Sequence, residues 1–318
     1  VGYAGNDKGN DVRGYGPAWE PGVRSHPSIT PIHAGENVQG SGYGEPYFAP
    51  YGDPVYPSLP GSGGVSKTAH AGGAIRLEVS NELVVDGSIS ASSLNGNTML
   101  LGTGGSVWIT CRTISGAGEV KANSKNCSAA TSRQTSYAAG AGRVAVHYDP
   151  AAQAAVADCT VRFEAMTSVY KDGVDLYSGN YGPEPGLKVD SNMDTPWREE
   201  RLGLHGMGTL YFTDAALLKS PIWRFAGELH TGLPIGSLVF DEPVTFDKCQ
   251  FVVRDPGLTV TANAGLNVVG AGYYARRELG VVFSNATVTV NGELALAGSR
   301  FGVRDGALTV NGDVTLTN

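Results

Sequence analysis

The chain has 318 residues, 45 of them glycine and 17 proline, and its 23 Lys and Arg against 30 Asp and Glu give a net charge of −7. An apolar share of 41% suffices for a buried core and excludes wholesale disorder, and the glycines lack the every-third-residue period of a triple helix. An acidic balance without a basic stripe argues against a nucleic-acid partner, and no apolar run reaches the ~18–20 residues of a membrane-spanning helix.

The sequence opens on Val1 with no charged-then-apolar targeting segment, which reads as a processed protein or a piece of a longer one. Residues 1–66 form a block of their own, with 14 Gly and 9 of the 17 Pro. Proline removes backbone donors and glycine raises the entropic cost of ordering, so neither strand nor helix should run far here. Eight aromatic residues, Tyr3 and Tyr56 among them, distinguish the block from a plain linker. The expectation is an extended arm whose rings dock on a neighbouring surface. Within it, Asp7, Asn10 and Asp11 place oxygen ligands close together, which a calcium ion prefers. The spacing fits neither an EF-hand loop nor a glycine-aspartate nonapeptide, so a solvated turn is the stronger reading and no cofactor is expected.

From residue 67 to 150 the chain turns to short alternating apolar stretches punctuated by glycine, the signature of strands. Gly72-Gly73-Ala74-Ile75-Arg76-Leu77-Glu78-Val79 recurs as Gly104-Gly105-Ser106-Val107-Trp108-Ile109-Thr110-Cys111 and, more loosely, as Gly142 through Tyr148. Alternation predicts inward columns Ile75/Val107/Val144, Leu77/Ile109/Val146 and Val79/Cys111/Tyr148. Arg76/Trp108/Ala145 and Glu78/Thr110/His147 then face outward.

Residues 151–240 break this rhythm and read as an irregular insertion or lateral cap, with a short helix over Ala151–Ala157 and a strand over Cys159–Phe163. The polar stretch from Asp172 to Arg201 brings Asp190, Asp194, Glu199 and Glu200 close to Trp197. Two carboxylates with divided roles are what glycoside chemistry needs, and an indole stacks on sugar rings. A solvated loop explains the same composition.

The repeat returns over 241–318. Residues 251–260 (FVVRDPGLTV) and 301–310 (FGVRDGALTV) agree at seven of ten positions, and TVNGEL at 289–294 matches TVNGDV at 309–314. Repeats at such spacings indicate a stacked architecture, and Thr, Val and Asn-Gly in the units exclude helical ones. The predicted inward columns are Phe251/Phe301, Val253/Val303, Leu258/Val288/Leu308 and Val260/Val290/Val310. Arg254/Arg304 and Thr259/Thr289/Thr309 point out. Tyr273, Tyr274, Arg276 and Arg277 interrupt the repeat with rings and guanidinium groups suited to an acidic polysaccharide or a protein partner. A loop tip tucked on the flank is the plainer alternative.

Four cysteines (Cys111, Cys127, Cys159, Cys249) are too few to require a disulfide framework, although an even count permits two bridges. No Gly-x-Ser-x-Gly elbow, paired zinc-ligand spacing or Walker loop occurs.

The run Gly-Gly-x-Ile-x-Leu…Leu-x-Val-x-Gly-x-Ile-x-Ala, followed by Gly-Gly-Ser-Val-Trp-Ile-Thr…Ile-Ser-Gly-Ala-Gly-Glu-Val-x-Ala, resembles the glycine-rich repeats of large secreted bacterial proteins. These are similar to right-handed parallel β-helices of the pectate-lyase-like and filamentous-adhesin-like kind. The resemblance covers residues 61–148 well and 245–318 generically. It implies an all-β solenoid and an extracellular or cell-surface location. The Asn-Thr-Asp, Asp-Asp and Gly-His-Gly motifs of the polygalacturonase branch are missing, so no catalytic residue carries over.

The expected function is therefore a non-catalytic structural or adhesive protein. A polysaccharide lyase or hydrolase using Asp190, Asp194, Glu199 or Glu200 is the alternative, with a carbohydrate-binding module using Trp197, Tyr273 and Tyr274 as a third reading. Because the sequence stops at Val314–Asn318 inside a repeat with no polar cap, the expected partner is another copy of the chain or the remainder of a longer one, possibly with polysaccharide. Head-to-tail contact would then build filaments, and the arm at 1–66 is a candidate cover for that end.

Overall fold

A computed structural model of the chain describes residues 2–3, 16–17, 33–34, 50–64, 69–93, 102–124, 139–156, 159–166, 170–171, 174–175, 207–270, 280–299 and 301–317. Among them the structure is mostly β, with parallel sheets, the largest curled as a half-barrel, and almost no helix.

The strands come in sets that repeat along the chain. β1 (Ala74–Glu78), β2 (Glu82–Val84) and β3 (Ser88–Ser90) lie beside β4 (Ser106–Thr110), β5 (Thr113–Ser115) and β6 (Glu119–Lys121), each pairing in parallel with its counterpart. β7 (Arg143–His147) follows on β4, and β8 (Arg162–Glu164) follows on β6. Between these two strands a single-turn helix (α1, Pro150–Gln153) stands over β5. Asp149 caps α1 by accepting from the amides of Ala151 and Ala152, and Pro150 presets its first turn.

After a small antiparallel pair, β9 (Tyr170–Lys171) with β10 (Val174–Asp175), the parallel order resumes with β11 (Thr209–Phe212) and β12 (Ile222–Trp223). β13 (Phe225–Thr231), β14 (Ser237–Phe240), β15 (Val244–Asp247), β16 (Gln250–Ala262) and β17 (Leu266–Val269) come next. β18 (Val281–Val290), β19 (Leu294–Ala297), β20 (Phe301–Arg304), β21 (Ala307–Val310) and β22 (Val314–Thr317) complete it. The long sheet runs β1-β4-β7-β11-β13-β16-β18-β20, and a second runs β12-β15-β17-β19-β22. Within 151–240, β8 and β11 to β14 belong to these sheets, the strand-rich alternative that the sequence also allows for this stretch.

The early columns stand as alternation predicts: Ile75, Val107 and Val144 are in register, as are Leu77, Ile109 and Val146, and all pack in one core. In the late set Phe251, Val281 and Phe301 align, as do Val253, Phe283 and Val303. The remaining late columns need correction. β16 carries a register shift between Arg254 and Leu258, so Leu258 pairs with Ala286, and Val260 falls beside Val288 and Leu308. Thr261, not Thr259, stands with Thr289 and Thr309. Asp255-Pro256-Gly257 makes a wider corner than the following layer's, and the identical Leu258 and Leu308 are therefore not stacked.

A glycine seam runs along this wall. The amides of Gly105, Gly142 and Gly208 donate to the carbonyls of Ala91, Ala122 and Ala165 at 2.9, 2.8 and 2.7 Å. In the next layer Ala226 and Gly227 are consecutive. A methyl group on Gly105, Gly142 or Gly208 would stand 1.9 Å from the carbonyl oxygen of Gly73, Gly105 or Gly142 respectively, so the seam excludes side chains.

The interior is aromatic where β12 to β18 meet. Trp223 is 1% exposed, lies 4.7 Å from Phe246 and 5.5 Å from Phe251, and donates its indole N–H to the carbonyls of Leu218 and Ser220. No helix among the described residues is long and apolar enough to cross a membrane.

Candidate functional site

The residues nominated from sequence all fall outside the described residues: Asp190, Asp194, Trp197, Glu199 and Glu200; Tyr273, Tyr274, Arg276 and Arg277; Asp7, Asn10 and Asp11. Among the described residues no group of three His, Cys, Asp or Glu is placed to hold a metal ion.

The structure brings together a different set, on the outward face of β4, β7 and β11. Strand alternation puts Arg76, Trp108, Ala145, Tyr211 and His230 in one outward row, with Ser106, Arg143, Thr209 and Glu228 in a parallel row. A third outward row holds Glu78, Thr110 and His147. Residues 50–64 lie across these rows as a strap. Ala145, an outward residue by its alternation, is consequently 0% exposed.

The strap follows from its own sequence. Asp53 accepts from the amides of Val55 and Tyr56 at 2.7 and 3.2 Å, an Asx turn, and the prolines hold the following stretch open. Open backbone presents carbonyls, and the wall supplies donors for them. Arg143 donates from Nε and Nη2 to the Tyr51 carbonyl at 3.2 and 2.8 Å and from Nη1 to Thr209 Oγ1 at 3.1 Å. His147 Nε2–H donates to the Val55 carbonyl at 2.7 Å, and Ser106 Oγ to that of Leu59 at 2.6 Å. The Tyr51 hydroxyl donates to the Pro60 carbonyl at 3.0 Å, and burial pushes its pKa up to about 12.

Rings close the outer part. Tyr56 stacks on His147 at 5.0 Å and meets Trp108 edge-on at 5.5 Å, while the Arg76 guanidinium sits 4.1 Å over the Trp108 ring. His147 also lies 5.2 Å from Tyr211.

Beneath the strap the charge balance is unusual. Arg143 is 5% exposed, yet among the described residues no carboxylate lies within ion-pair distance of it. Burial lowers its pKa, partly offset by the more distant charges of Asp53 and Glu228. Beside it, His33 is fully buried and stacks on Tyr51 at 4.6 Å. Its Nδ1–H donates to the Gly104 carbonyl at 2.8 Å, and its Nε2 has no partner among the described residues. Burial pulls the His33 pKa down to about 4, with the Arg143 charge adding to the shift and the Gly104 bond opposing it. Donors here are spent on main-chain carbonyls, and Asp53 is spent on its own turn. The chemistry is that of a clasp for a polypeptide.

A second distinctive surface is the face of the last layer. Leu308, Val314 and Leu316 are 43%, 56% and 71% exposed, whereas Val288, Val290 and Leu294 one layer below are 0–4% exposed. Side-chain amides climb toward it: Asn263 donates to Asp241, Asn291 to Asn263 and Asn311 to Asn291, each at 2.8 Å. At the opposite end, Ile75, Leu77, Leu83 and Ile89 are only partly buried, and Val84 is 54% exposed. The described strap residues leave β20, β21 and β22 uncovered.

Sequence reasoning placed Trp108 and His147 on the outside but missed His33, Tyr51 and Arg143 as partners. The available signal was Tyr51-Gly52-Asp53-Pro54, a turn motif inside a ring-rich arm. No protein-family model, curated protein or solved structure matches this chain.

Proposed function

We propose that the chain is a non-catalytic structural or adhesive protein of the extracellular space, a right-handed parallel β-helix whose copies add head to tail. The observation that supports the reading is that the apolar columns run on into β20, β21 and β22, where Leu308, Val314 and Leu316 are exposed among the described residues and a further layer, from another copy or from the remainder of a longer chain, would bury them. A parallel layer buries its apolar columns only under another layer of the same register. Among the described residues the first layer (β1, β2 and β3) has complementary unpaired edges, and Asn311 Oδ1 can accept from one more amide above it. Joining two unlike ends gives a heterologous contact that does not close, and such contacts extend into filaments. The extracellular location rests on the resemblance to secreted glycine-rich repeats.

Sedimentation velocity from micromolar to several hundred micromolar protein, followed by negative-stain electron microscopy, tests the assembly. Growing linear species are expected, and Val314→Lys with Leu316→Lys should leave only monomers of unchanged circular dichroism. A single monomeric species of the unaltered chain throughout that range would overturn the reading.

A further inference from the structure

We infer that His33, set against Arg143, is an acid-sensitive latch for the strap formed by residues 50–64. His33 is wholly buried between the strap and the wall, with Tyr51 stacked on it and the Gly104 carbonyl bonded to its Nδ1–H. Nε2 therefore holds the lone pair, and among the described residues no donor reaches it. A methyl built on Gly52 would be 3.7 Å from both His33 Nε2 and Arg143 Nε, which places the guanidinium just across that glycine.

The described groups facing His33 offer nothing to welcome a proton. Gly104 contributes a carbonyl to the other nitrogen, Tyr51 is a neutral phenol, and Arg143 on β7 already carries a positive charge. Asp53 on the strap and Glu228 on β13 act on Arg143 from further away. Protonating Nε2 would bury a second cation beside the first, with no acceptor for the new N–H.

The same Arg143 grips the strap through the Tyr51 carbonyl, and the Tyr51 amide donates to the His33 carbonyl at 2.9 Å. Expelling His33 therefore removes the floor on which Tyr51 rests. The direction with pH follows from linkage. Above an ordinary histidine pKa of ~6.5, docked and released forms are both neutral and docking has its full strength. As pH falls below that value the released His33 takes up a proton. The docked one does not until about pH 4. Between these limits acidification favours release. From pH 7.5 to pH 5 the docking equilibrium should fall roughly 30-fold.

Hydrogen exchange followed by mass spectrometry on the full chain tests this, with rates corrected for the intrinsic effect of pH. Stopping at pH 5 stays above the ordinary carboxylate range. Peptides spanning 51–62 should lose roughly 30-fold in protection between pH 7.5 and 5, while peptides of β18 and β19 do not. In His33→Asn, whose side-chain amide can still donate to the Gly104 carbonyl but cannot be protonated, strap protection should be flat. A change below threefold in the unaltered chain, or an Asn variant that follows the same pH course, would overturn the latch. Should the Asn variant fail to dock at any pH, histidine-labelled NMR of the unaltered chain decides. A His33 ring titrating below pH 5 supports the latch, and one titrating above pH 6 refutes it. Neither measurement depends on assembly, so the latch and the filament reading fail separately.

Discussion

Replacing Gly142 with alanine probes the seam directly. The new methyl would lie 1.9 Å from Gly105 O and 2.8 Å from two Gly104 and Gly105 carbonyl carbons, whereas real contacts stay beyond 3.0 Å. Both neighbours are backbone, so no side chain can swing away and the layers must part by about an ångström. Two bonds then stretch out of range, Arg143 N–H to Gly105 O at 2.9 Å and Gly142 N–H to Ala122 O at 2.8 Å. Leaving those buried groups unpaired costs roughly 2–6 kcal/mol in total. That is a large share of the ~5–15 kcal/mol of a typical domain. Urea unfolding followed by tryptophan fluorescence reads the loss as a lower midpoint with an unchanged slope. Two controls separate crowding from backbone strain. Gly87 has no atom within 4 Å of the added methyl, so Gly87→Ala should be neutral or gain about 0.4–1 kcal/mol. Gly236 is equally open but sits at φ +69°, so Gly236→Ala should lose about 1–2 kcal/mol from conformation alone. A Gly142→Ala midpoint indistinguishable from that of Gly87→Ala would refute the seam.

Gln153 gives a second test, because its side chain completes the edge of β5: Oε1 accepts from Ile114 N–H at 2.7 Å and Nε2 donates to Ile114 O at 3.0 Å. Gln153→Leu keeps the volume but strands both backbone groups and should cost roughly 2–4 kcal/mol in the same urea assay, against under ~0.5 kcal/mol if the contact is incidental. The thiols supply a chemical test. Burial pushes Cys111 and Cys159 up to about 11 and Cys249 to about 12, and all three are free. At pH 8 an aromatic disulfide reagent should label none of them in the native chain and all of them in guanidinium, with the sites mapped by mass spectrometry.

Alternation made the wall legible before any coordinates. Ile75, Val107 and Val144 each sit two residues from the next apolar position, and a period of two admits one inward face. The late register was misread for a local reason. Leu258 and Leu308 are identical, but Pro256-Gly257 widens one corner by two residues, and periodicity carries no information about corner length. Gln153 was invisible because its value lies in partners 39 residues away, the Ile114 N–H and C=O. His33 was hidden likewise: an isolated histidine in a Gly/Pro-rich arm has no pattern, and only the wall's Arg143 and Gly104 give it a meaning.

The seam and the strap meet along one edge of the wall. The carbonyls of Ala91, Ala122 and Ala165 each accept from a glycine amide, that of Gly105, Gly142 or Gly208, so the corner beside them is closed by backbone alone. Ala226-Gly227 shows the zero-length case of the same corner. The strap's described residues bond to the same edge of the wall, through Gly61 N–H to Gly72 O and Ser62 N–H to Thr103 Oγ1. The inner columns permit almost no change, since each side chain is fixed from above and below.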